Sequence, residues 1–583
     1  MAKKHIDRAA LIATIRELKE LSNEQKSDIL QLISEQKKYG IVWEDSPEDV
    51  EENLRVNVPV LVEDKDRAII SNADDAPNHI LIEGDNLEAL TALSYTHEGN
   101  IDVIYIDPPY NTGNKDFVYN DSFVDSEDGY RHSKWLSFME KRLKIAKKLL
   151  SDKGVIFISI DDNEDANLKL LCDEIFNNRN KISDVIWQSR KSVSNDTFIS
   201  LNHNYTLIYA KNLSLWNKLD FRLPAKTENF TNPDNDPRGP WVADPFDAPN
   251  IRPNLTYAIK NPNTGVEFWP PKGRCWRTTE EQYKELLADK RILFGKNGKT
   301  KPQLKRFLDF AQSKGETTTS VWVDLETTTD GTKSLMNIFN GEKTFTNPKP
   351  VSLIIRCLQL ASQKNSIILD FFAGSGTTLH ATMQLNAEDG GHRQCILCTN
   401  NENNICEEVT YERNKRVING YTTPKGVEVE GLHDNSLRYY KIDYAERENT
   451  AANREKLLRL ATDMLCVKEN IYNEERQFGS LNFKKGIARY FANNDKQMLI
   501  VYEPRAIEYI VKELHKNASL ASRQRPLKLY VYSDGAYAYN DEFEGLLDRV
   551  ELTAMPNALI QALHNVLPEP IVDEFKEGGL END

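Results

Sequence analysis

The chain has 583 residues and a net charge of −15 at pH 7, and its length predicts three or four domains because it exceeds what one hydrophobic core can hold. A mean hydropathy of −0.58 and the lack of a long apolar run exclude a membrane-spanning protein. No apolar secretory segment follows the first residues, so we expect a cytoplasmic protein.

In chain order, the spacing of apolar residues predicts five parts. Residues 1–60 have the pattern of a small helical hairpin, and residues 61–215 alternate strands and helices. Residues 216–340 are rich in Pro, Asn, Gly and Trp and interrupt this alternation, which residues 341–425 resume. Residues 426–583 have strands and helices of their own. The pattern predicts an α/β protein whose sheet is split by an irregular insert and followed by a C-terminal α/β module.

The most informative motif follows the apolar run 101–106, which has the length and β-branched content of a buried strand. The motif consists of Asp107, Pro108, Pro109 and Tyr110. Ligands of open α/β sheets bind at the carboxyl ends of strands. There a carboxylate and a carbonyl from a rigid turn can accept the two hydrogens of an exocyclic amine, while a tyrosine ring stacks on its base. A Pro-Pro pair that only ends the strand is the alternative.

A second apolar run, at residues 366–370, ends in Asp370 and leads into a turn that contains Phe372, Gly374 and Gly376. Glycine lets backbone approach a ligand closely, and the amino end of the helix that follows is electropositive. The spacing is F-x-G-x-G, which differs from that of the dinucleotide-binding motif and from that of a P-loop. The sequence therefore predicts two ligand-binding turns at one edge of the sheet.

The seven cysteines are scattered and odd in number, as expected of a reduced intracellular protein. Cys395 and Cys398 are spaced as metal ligands can be, but they lie in or beside a predicted strand, and no second pair completes a tetrahedral site. We therefore predict no metal site.

Together the two motifs resemble the catalytic and S-adenosylmethionine (SAM) motifs of amino-methylating DNA methyltransferases. The catalytic motif comes first, as in the permuted β class. Residues 83–90, 107–113, 135–143 and 154–164 are also similar to segments of Mod (modification) subunits of type III restriction–modification systems. The resemblance extends over residues 1–420 and implies a Rossmann-like, SAM-dependent methyltransferase sheet.

The resemblance implies catalytic roles for the tetrapeptide of residues 107–110. It places seven residues at the cofactor: Asp85, Lys349, Asp370, Phe372, Gly374, Gly376 and Glu402. Lys349 would pair with the methionine carboxylate and Asp85 with the adenine. A solvated loop lysine and an N-cap of the next helix are the alternatives for these two. Glu402 follows two asparagines where the family usually has an acid for the ribose hydroxyls, so its register departs from the pattern.

The insert at residues 216–340 lies between the two motifs, where the β class has its target-recognition domain. Seven of its basic residues form a run without an intervening acid: Lys290, Arg291, Lys296, Lys299, Lys301, Lys305 and Arg306. Local basic surface decides contact with phosphate, so we predict that this run binds DNA despite the negative net charge. The alternative is a solvated helix face, which is our interpretation of a second basic run at residues 131–148.

The resemblance therefore implies a site-specific enzyme that transfers a methyl group from SAM to N6 of adenine in double-stranded DNA and needs no metal. An aspartate at the first motif position favours adenine. The alternatives are N4-cytosine methylation and a non-catalytic DNA-binding or scaffold subunit. A homodimer and a nuclease–helicase restriction subunit as partner follow from the resemblance alone.

Overall fold

The computed structural model describes residues 43, 48–73, 75–113, 117–119, 122–123, 128–448, 450–533, 539–555 and 559. Most of the predicted N-terminal helical hairpin, at residues 1–60, lies outside the described residues. The described part of that segment contains one helix, Asp49–Val56, which is capped reciprocally by Glu48 and Glu51 and leads directly into a strand.

The strands are β1 (Asn57–Glu63), β2 (Asn78–Glu83), β3 (Ile101–Ile106), β4 (Val118–Tyr119), β5 (Ser122–Phe123), β6 (Leu150–Ile160), β7 (Lys181–Trp187), β8 (Asn204–Ala210), β9 (Trp241–Pro245), β10 (Asp247–Pro249), β11 (Ile259–Lys260), β12 (Glu267–Phe268), β13 (Arg274–Trp276), β14 (Ile292–Leu293), β15 (Gln303–Phe307), β16 (Val321–Trp322), β17 (Ile367–Asp370), β18 (Gln394–Thr399), β19 (Tyr421–Thr422), β20 (Glu428–Val429), β21 (Ser436–Glu446), β22 (Glu474–Glu475), β23 (Ala488–Ala492), β24 (Gln497–Val501), β25 (Leu527–Tyr532) and β26 (Val550–Met555). The α-helices are α1 (Asp49–Val56), α2 (Asn86–His97), α3 (Arg131–Leu149), α4 (Asp165–Cys172), α5 (Glu280–Ala288), α6 (Leu308–Lys314), α7 (Thr328–Ile338), α8 (Val351–Ala361), α9 (Thr377–Asp389), α10 (Glu412–Asn419), α11 (Ala451–Leu460), α12 (Thr462–Glu469) and α13 (Ile507–Lys516).

A ten-stranded sheet forms the main body, with its strands in the order β1-β21-β2-β18-β17-β3-β6-β8-β7-β16. The six strands from β21 to β6 are parallel to one another. Strand β8 is antiparallel to both of its neighbours, and β1 is antiparallel to β21. The predicted α/β sheet is confirmed, and the strands that precede the two motifs, β3 and β17, are direct neighbours in it.

Helices cover both faces of this sheet, which explains why its central strands are mostly apolar and do not alternate apolar with polar residues. One face packs against α2, α3 and α12, with Leu90, Trp135 and Met464 in its core. The other face packs against α7, α8 and α9. Burial on both sides fixes the strand ends, and therefore the turns that carry the motifs.

The insert has a small core of its own, formed by Phe246, Ile259, Trp276, Tyr283 and Ile292. Its largest sheet has three strands in the order β14-β15-β9. The chain then returns to the main sheet through the edge strand β16, and α7 packs on the main core. Strands that belong to the main sheet therefore begin again before residue 340.

The C-terminal part contains a five-stranded sheet in the order β22-β23-β24-β25-β26. One of its faces has a separate core around α13, while Met498, Ile500 and Tyr530 join the core of the main sheet. Strand β21 lies inside the main sheet, between β1 and β2. The main sheet therefore extends past the boundary that the sequence pattern places at residue 425.

All seven cysteines are buried free thiols. Among the described residues, no helix combines the length and the apolar character needed to cross a membrane.

Candidate active site

The two motifs meet at the carboxyl edge of the parallel strands. Leu369 pairs with Ile104, so the turns that follow β17 and β3 lie side by side. A pocket of about 490 Å³ opens there, within the size range of small-molecule sites. Of the predicted site residues, its lining includes Asp85, Asp107, Pro108, Pro109, Phe372, Gly374 and Glu402.

Asp107 is half-buried and both of its carboxylate oxygens have partners. The Tyr110 hydroxyl donates to Oδ1 at 2.8 Å, and the Lys349 ammonium donates to Oδ2 at 2.5 Å. Burial and the Asp107 carboxylate raise the pKa of Tyr110 well above its ordinary value, so the phenol remains a donor. An ionised carboxylate has about four acceptor positions, which leaves room for an incoming amine.

The Pro-Pro turn is held from behind by helix α3. The buried indole of Trp135 donates its Nε1 hydrogen to the Pro109 carbonyl at 2.7 Å. No hydrogen bond from a described residue reaches the Pro108 carbonyl. Among the described residues, therefore, the Pro109 carbonyl has a hydrogen-bond donor and the Pro108 carbonyl has none.

A buried polar cluster supports the residue after Tyr110. Asn111 has a φ of 56°, which is uncommon for a residue other than glycine. Its side chain donates to Glu164 Oε1 at 2.6 Å. The same carboxyl group is contacted by His132 Nδ1 at 2.6 Å and by Asn167 Nδ2 at 2.7 Å. The sequence pattern did not identify this cluster, because its members come from three separate segments of the chain.

The two glycines of the second motif have different neighbours. Both have a positive φ, 49° at Gly374 and 72° at Gly376. A Cβ at Gly374 would lie 3.2 Å from Phe345 Cζ, at the pocket. A Cβ at Gly376 would lie 2.4 Å from Asn414 Nδ2, on the helix that packs behind the turn. Gly374 therefore gives the pocket its space, whereas Gly376 allows the turn to pack on α10.

Asp370 holds this turn through two hydrogen bonds. Its carboxyl group is buried and accepts hydrogen bonds from Thr378 Oγ1 at 2.5 Å and from the Phe372 backbone nitrogen at 3.0 Å. Burial raises the pKa of Asp370 to about 7. These contacts order the turn, and Asp370 is not among the residues that line the pocket. Its place near the methionine end of the cofactor stays a prediction.

The other cofactor residues named from the sequence have mixed contacts. Asp85 caps α2, since its side chain accepts a hydrogen bond from Leu87 N at 2.7 Å, and it also lines the pocket. Lys349 is not a solvated loop lysine, because only 10% of its side chain is exposed and its ammonium pairs with Asp107. Glu402 lines the pocket from the turn after β18.

Arg142 is a pocket residue that the sequence pattern misassigned to a solvated helix face. Its side chain is 1% exposed and its guanidinium pairs with both carboxylate oxygens of Glu48, at 2.8 and 2.9 Å. The guanidinium also lies 3.5 Å from the centre of the Phe138 ring. Both Arg142 and Glu48 line the pocket, so the segment before α1 helps to close it.

The basic run of the insert divides into buried and exposed members. Lys305 is buried, and its ammonium contacts Asp234 and Asp236. The prediction that Lys305 contacts phosphate is therefore wrong, because strand β15 turns it inward. Lys301 pairs with the buried Asp247, at 2.8 Å. Arg306 is half-buried and pairs with Asp244, and Arg291 is half-buried.

Lys301 is exposed as well as paired with Asp247. Three other exposed members of the run are Lys290, Lys296 and Lys299. None of them forms an ion pair with another described residue. They are the part of the run that keeps the surface position needed to contact phosphate.

The strand order and the two motifs at the carboxyl edge define a Rossmann-like α/β methyltransferase fold. The chain belongs to the DNA methylase family, whose match covers residues 101–411. This membership confirms the resemblance seen in the sequence.

Three curated relatives illustrate the similarity. The Mod subunit of the type III restriction–modification enzyme StyLTI of Salmonella typhimurium is 38% identical over 375 residues, which cover 59% of this chain and 55% of that protein. The EcoPI Mod subunit of Escherichia phage P1 is 32% identical, over 60% of this chain and 62% of its own. The type II methyltransferase M.KpnI of Klebsiella pneumoniae is 33% identical, over 64% of this chain and 92% of its own length. The chain thus spans little more than half the length of the two Mod subunits.

Proposed function

We propose that the protein transfers a methyl group from SAM to N6 of adenine at a specific DNA sequence, as the modification subunit of a type III restriction–modification system. The observation that carries this proposal is the pairing of β3 with β17, which brings Asp107 and Gly374 to one pocket. The similarity to Mod subunits supports the assignment to a type III system.

The side chains of the pocket suit SAM. Rings that can hold an adenine line it at Phe117, Phe138, Phe345, Phe371 and Phe372. The carboxylates of Asp85 and Glu402 can accept hydrogen bonds from an amine or from ribose hydroxyls. The absent Cβ of Gly374 keeps space in front of the Phe345 ring. When bound, SAM supplies an electrophilic methyl group on a sulfonium centre.

The chain's own residues would activate the amine. Asp107 accepts one hydrogen of the N6 amine and the Pro108 carbonyl accepts the other, which directs the nitrogen lone pair into the pocket. Tyr110 supplies a ring against which the target base stacks, after the base has flipped out of the duplex at a cost of a few kcal/mol. Trp135 holds the Pro-Pro turn in position. Asp107 is placed to accept the proton that the methylated nitrogen loses.

The proposal includes double-stranded DNA as substrate, a homodimer and a nuclease–helicase restriction subunit as partner. It also places the protein in the cytoplasm, together with the DNA. The exposed lysines at residues 290, 296 and 299 are the phosphate contacts that we propose for the insert at residues 216–340.

Long-read sequencing of DNA from a host that expresses the protein tests the reaction. Wild type is compared with Asp107→Ala and with Asp152→Ala, a carboxylate whose side chain is 86% exposed on the same sheet. We expect N6-methyladenine at one short sequence in the wild type and in the Asp152 variant, and none in the Asp107 variant. Calorimetry should find that all three proteins bind SAM.

Other outcomes point to other functions. Modified cytosine at the site would mean an N4-cytosine enzyme. SAM binding without any mark would require the partner subunit to be added before the proposal is judged in vitro. No mark and no SAM binding would identify a non-catalytic DNA-binding or scaffold subunit.

A further inference from the structure

The loop between β7 and β8 exposes large apolar side chains that no other part of the described structure covers. All ten residues from 190 to 199 are exposed. Phe198 is fully exposed, and Ile199, Val193 and Leu201 are 79%, 73% and 59% exposed. Single exposed apolar residues are common, but four within nine residues mark a surface that contacts a partner.

This loop, residues 190–201, stands at the same edge of the sheet as the candidate active site. Strand β7 is antiparallel to β8, which is antiparallel to β6, and β6 is parallel to β3. The carboxyl ends of β7 and β3 therefore face the same side. Three strand spacings separate them, about 14 Å, which is comparable to the width of a DNA major groove, about 12 Å.

The base of the loop is fixed, so its tip is held in a defined place. The Arg190 backbone nitrogen donates to Asn202 O at 3.1 Å, and the Ser194 nitrogen donates to Ser200 Oγ at 2.9 Å. The adjoining Tyr205 hydroxyl donates to Asp162 Oδ1 at 3.1 Å, on the turn that follows β6. These contacts close the loop and tie it to the edge that carries Asp107.

The polar residues of the loop suit a phosphate backbone. Arg190 and Lys191 are exposed, and neither forms an ion pair with a residue that the structure describes. Asp196 is the only acid between residues 190 and 201, whereas Ser192, Ser194, Thr197 and Asn195 are donors of the kind that contact phosphate. Cations at the base and an aromatic ring near the tip match a nucleic acid better than an apolar protein surface.

We propose that the 190–201 loop contacts the DNA duplex and that the Phe198 ring enters the base stack when the target base leaves it. The inference rests on the proposed function, because it assumes a base that flips toward Asp107. Apolar side chains inserted between base steps are a known way to unstack a duplex. A ring in the vacated space would replace the stacking that the neighbouring bases lose.

The test uses the full-length protein and a duplex that carries the site found by sequencing. We compare Phe198→Ala and Phe198→Leu with the control Tyr509→Ala. Tyr509 is an aromatic residue that is 59% exposed on α13, the helix that packs on the C-terminal sheet. The readouts are kcat/KM for methylation and the fluorescence of 2-aminopurine at the target position, which rises when that base unstacks. Each is measured on a fully paired duplex and on one with an abasic site opposite the target.

We expect the alanine variant to lose roughly ten- to a hundredfold in kcat/KM on the paired duplex, in line with the effect of removing an aromatic–base stack. Its loss should be about threefold or less opposite the abasic site, where the target base is already easier to extrude. The leucine variant should retain most of the activity, and Tyr509→Ala should match wild type on both duplexes.

Three results would overturn the inference. One is no loss in Phe198→Ala, and another is an equal loss on both duplexes, which would indicate a general defect. The third is normal base flipping with a change from dimer to monomer, which would make the loop a subunit interface. A wild-type protein that methylates neither duplex, even with the partner subunit added, would instead refute the proposed function and with it the inference.

Discussion

Among single residues, Lys349 has the most direct effect on the candidate catalytic carboxylate, because it forms an ion pair with it. Its ammonium pairs with Asp107 and lies 5.1 Å from the centre of the Tyr110 ring. The backbone around it is confined, since a Cβ at Gly331 would lie 2.5 Å from Pro348 O. The lysine is therefore held on Asp107 by its position in the chain, and it orients the carboxylate that we propose accepts the amine.

Lys349→Met should lower kcat by roughly ten- to a hundredfold, because it removes a charge-assisted hydrogen bond of about 1.5–3 kcal/mol. The Kd for SAM should change by about threefold or less, a change worth under 1 kcal/mol. Single-turnover kinetics and calorimetry separate the two quantities. A large rise in Kd with an unchanged kcat would mean that Lys349 binds the methionine carboxylate, as the family resemblance implies.

Asp370 gives a pH-dependent prediction. Burial raises its pKa from 3.8 to about 7, so between these values the folded state holds a proton that the unfolded state has lost. Stability from this residue is therefore present below pH 4 and is lost as the pH rises through 7. The Asp370→Asn variant has no carboxyl group to titrate at this position. Its free energy of unfolding, relative to that of wild type, should therefore be a few kcal/mol higher at pH 8 than at pH 4. Thermal unfolding at both pH values measures the difference, and a constant difference would contradict the assigned pKa.

These site residues differ in how well one sequence can predict their roles. The tetrapeptide at Asp107 and the turn at Gly374 follow strong apolar runs, so their place at strand ends could be read directly. Arg142 and Lys305 could not be assigned, because their burial depends on Glu48 and Asp236, which lie far from them in sequence. A charged residue is predicted to be exposed to solvent unless its buried partner is known.

At the element scale, helix α3 supports the catalytic turn through Trp135. Trp135→Phe keeps the buried ring but leaves the Pro109 carbonyl without its donor, at a cost of about 1–3 kcal/mol. We expect a fall of about tenfold in kcat, since small displacements of reacting groups are costly, and a lower urea midpoint of unfolding.

Trp216→Phe is the matched control for this change. Its Nε1 also donates to a backbone carbonyl, that of Lys153, at 3.0 Å, but outside the pocket. It should keep the wild-type kcat. An equal loss of kcat in both variants would show that the loss comes from the fold as a whole rather than from the turn.

The order of strands is the part of the fold that the sequence could not supply. Apolar runs predicted strands such as β3 and β17. Strand β21, however, pairs with β1 and β2, and the whole insert lies between them in the sequence. Hydrogen bonding across a sheet leaves no local pattern in the chain, so the domain boundary that the sequence pattern places at residue 425 leaves this strand outside the main sheet.

At the scale of the whole molecule, one core joins the main sheet to the C-terminal sheet. Met498, Ile500 and Tyr530 pack in the same cluster as Leu90 and Trp135. The Tyr530 hydroxyl also donates to Glu469 Oε1 at 2.6 Å, on α12. Shared burial of this kind makes the two sheets depend on each other for stability, so changes that weaken the core should act on both.

Acid stability is also a property of the whole molecule, because the buried His79 and His97 and the half-buried His380 are held without charge. Burial lowers the pKa of His79 to about 4, of His97 to about 4 and of His380 to about 3. The unfolded chain binds protons at these residues below about pH 6.5, whereas the folded chain does not. Their contribution to stability is therefore present above pH 6.5 and is lost as the pH falls.

Three carboxyl groups whose pKa burial raises, those of Asp370, Glu88 and Asp165, act in the opposite direction. Carboxylates whose pKa is lowered by basic partners, such as Asp184, Asp236 and Asp247, add to the effect of the histidines as the pH approaches 4, so the melting temperature should fall between pH 6.5 and 4. His97→Asn should make this fall less steep, because it removes one group that takes up a proton on unfolding. His392→Asn is the control for the substitution itself, since its side chain is 50% exposed. Calorimetric melting curves at half-unit pH steps measure the slopes. If His97→Asn kept the wild-type slope, the buried neutral imidazole would not be a source of the acid sensitivity, and exposed carboxylates would have to account for it.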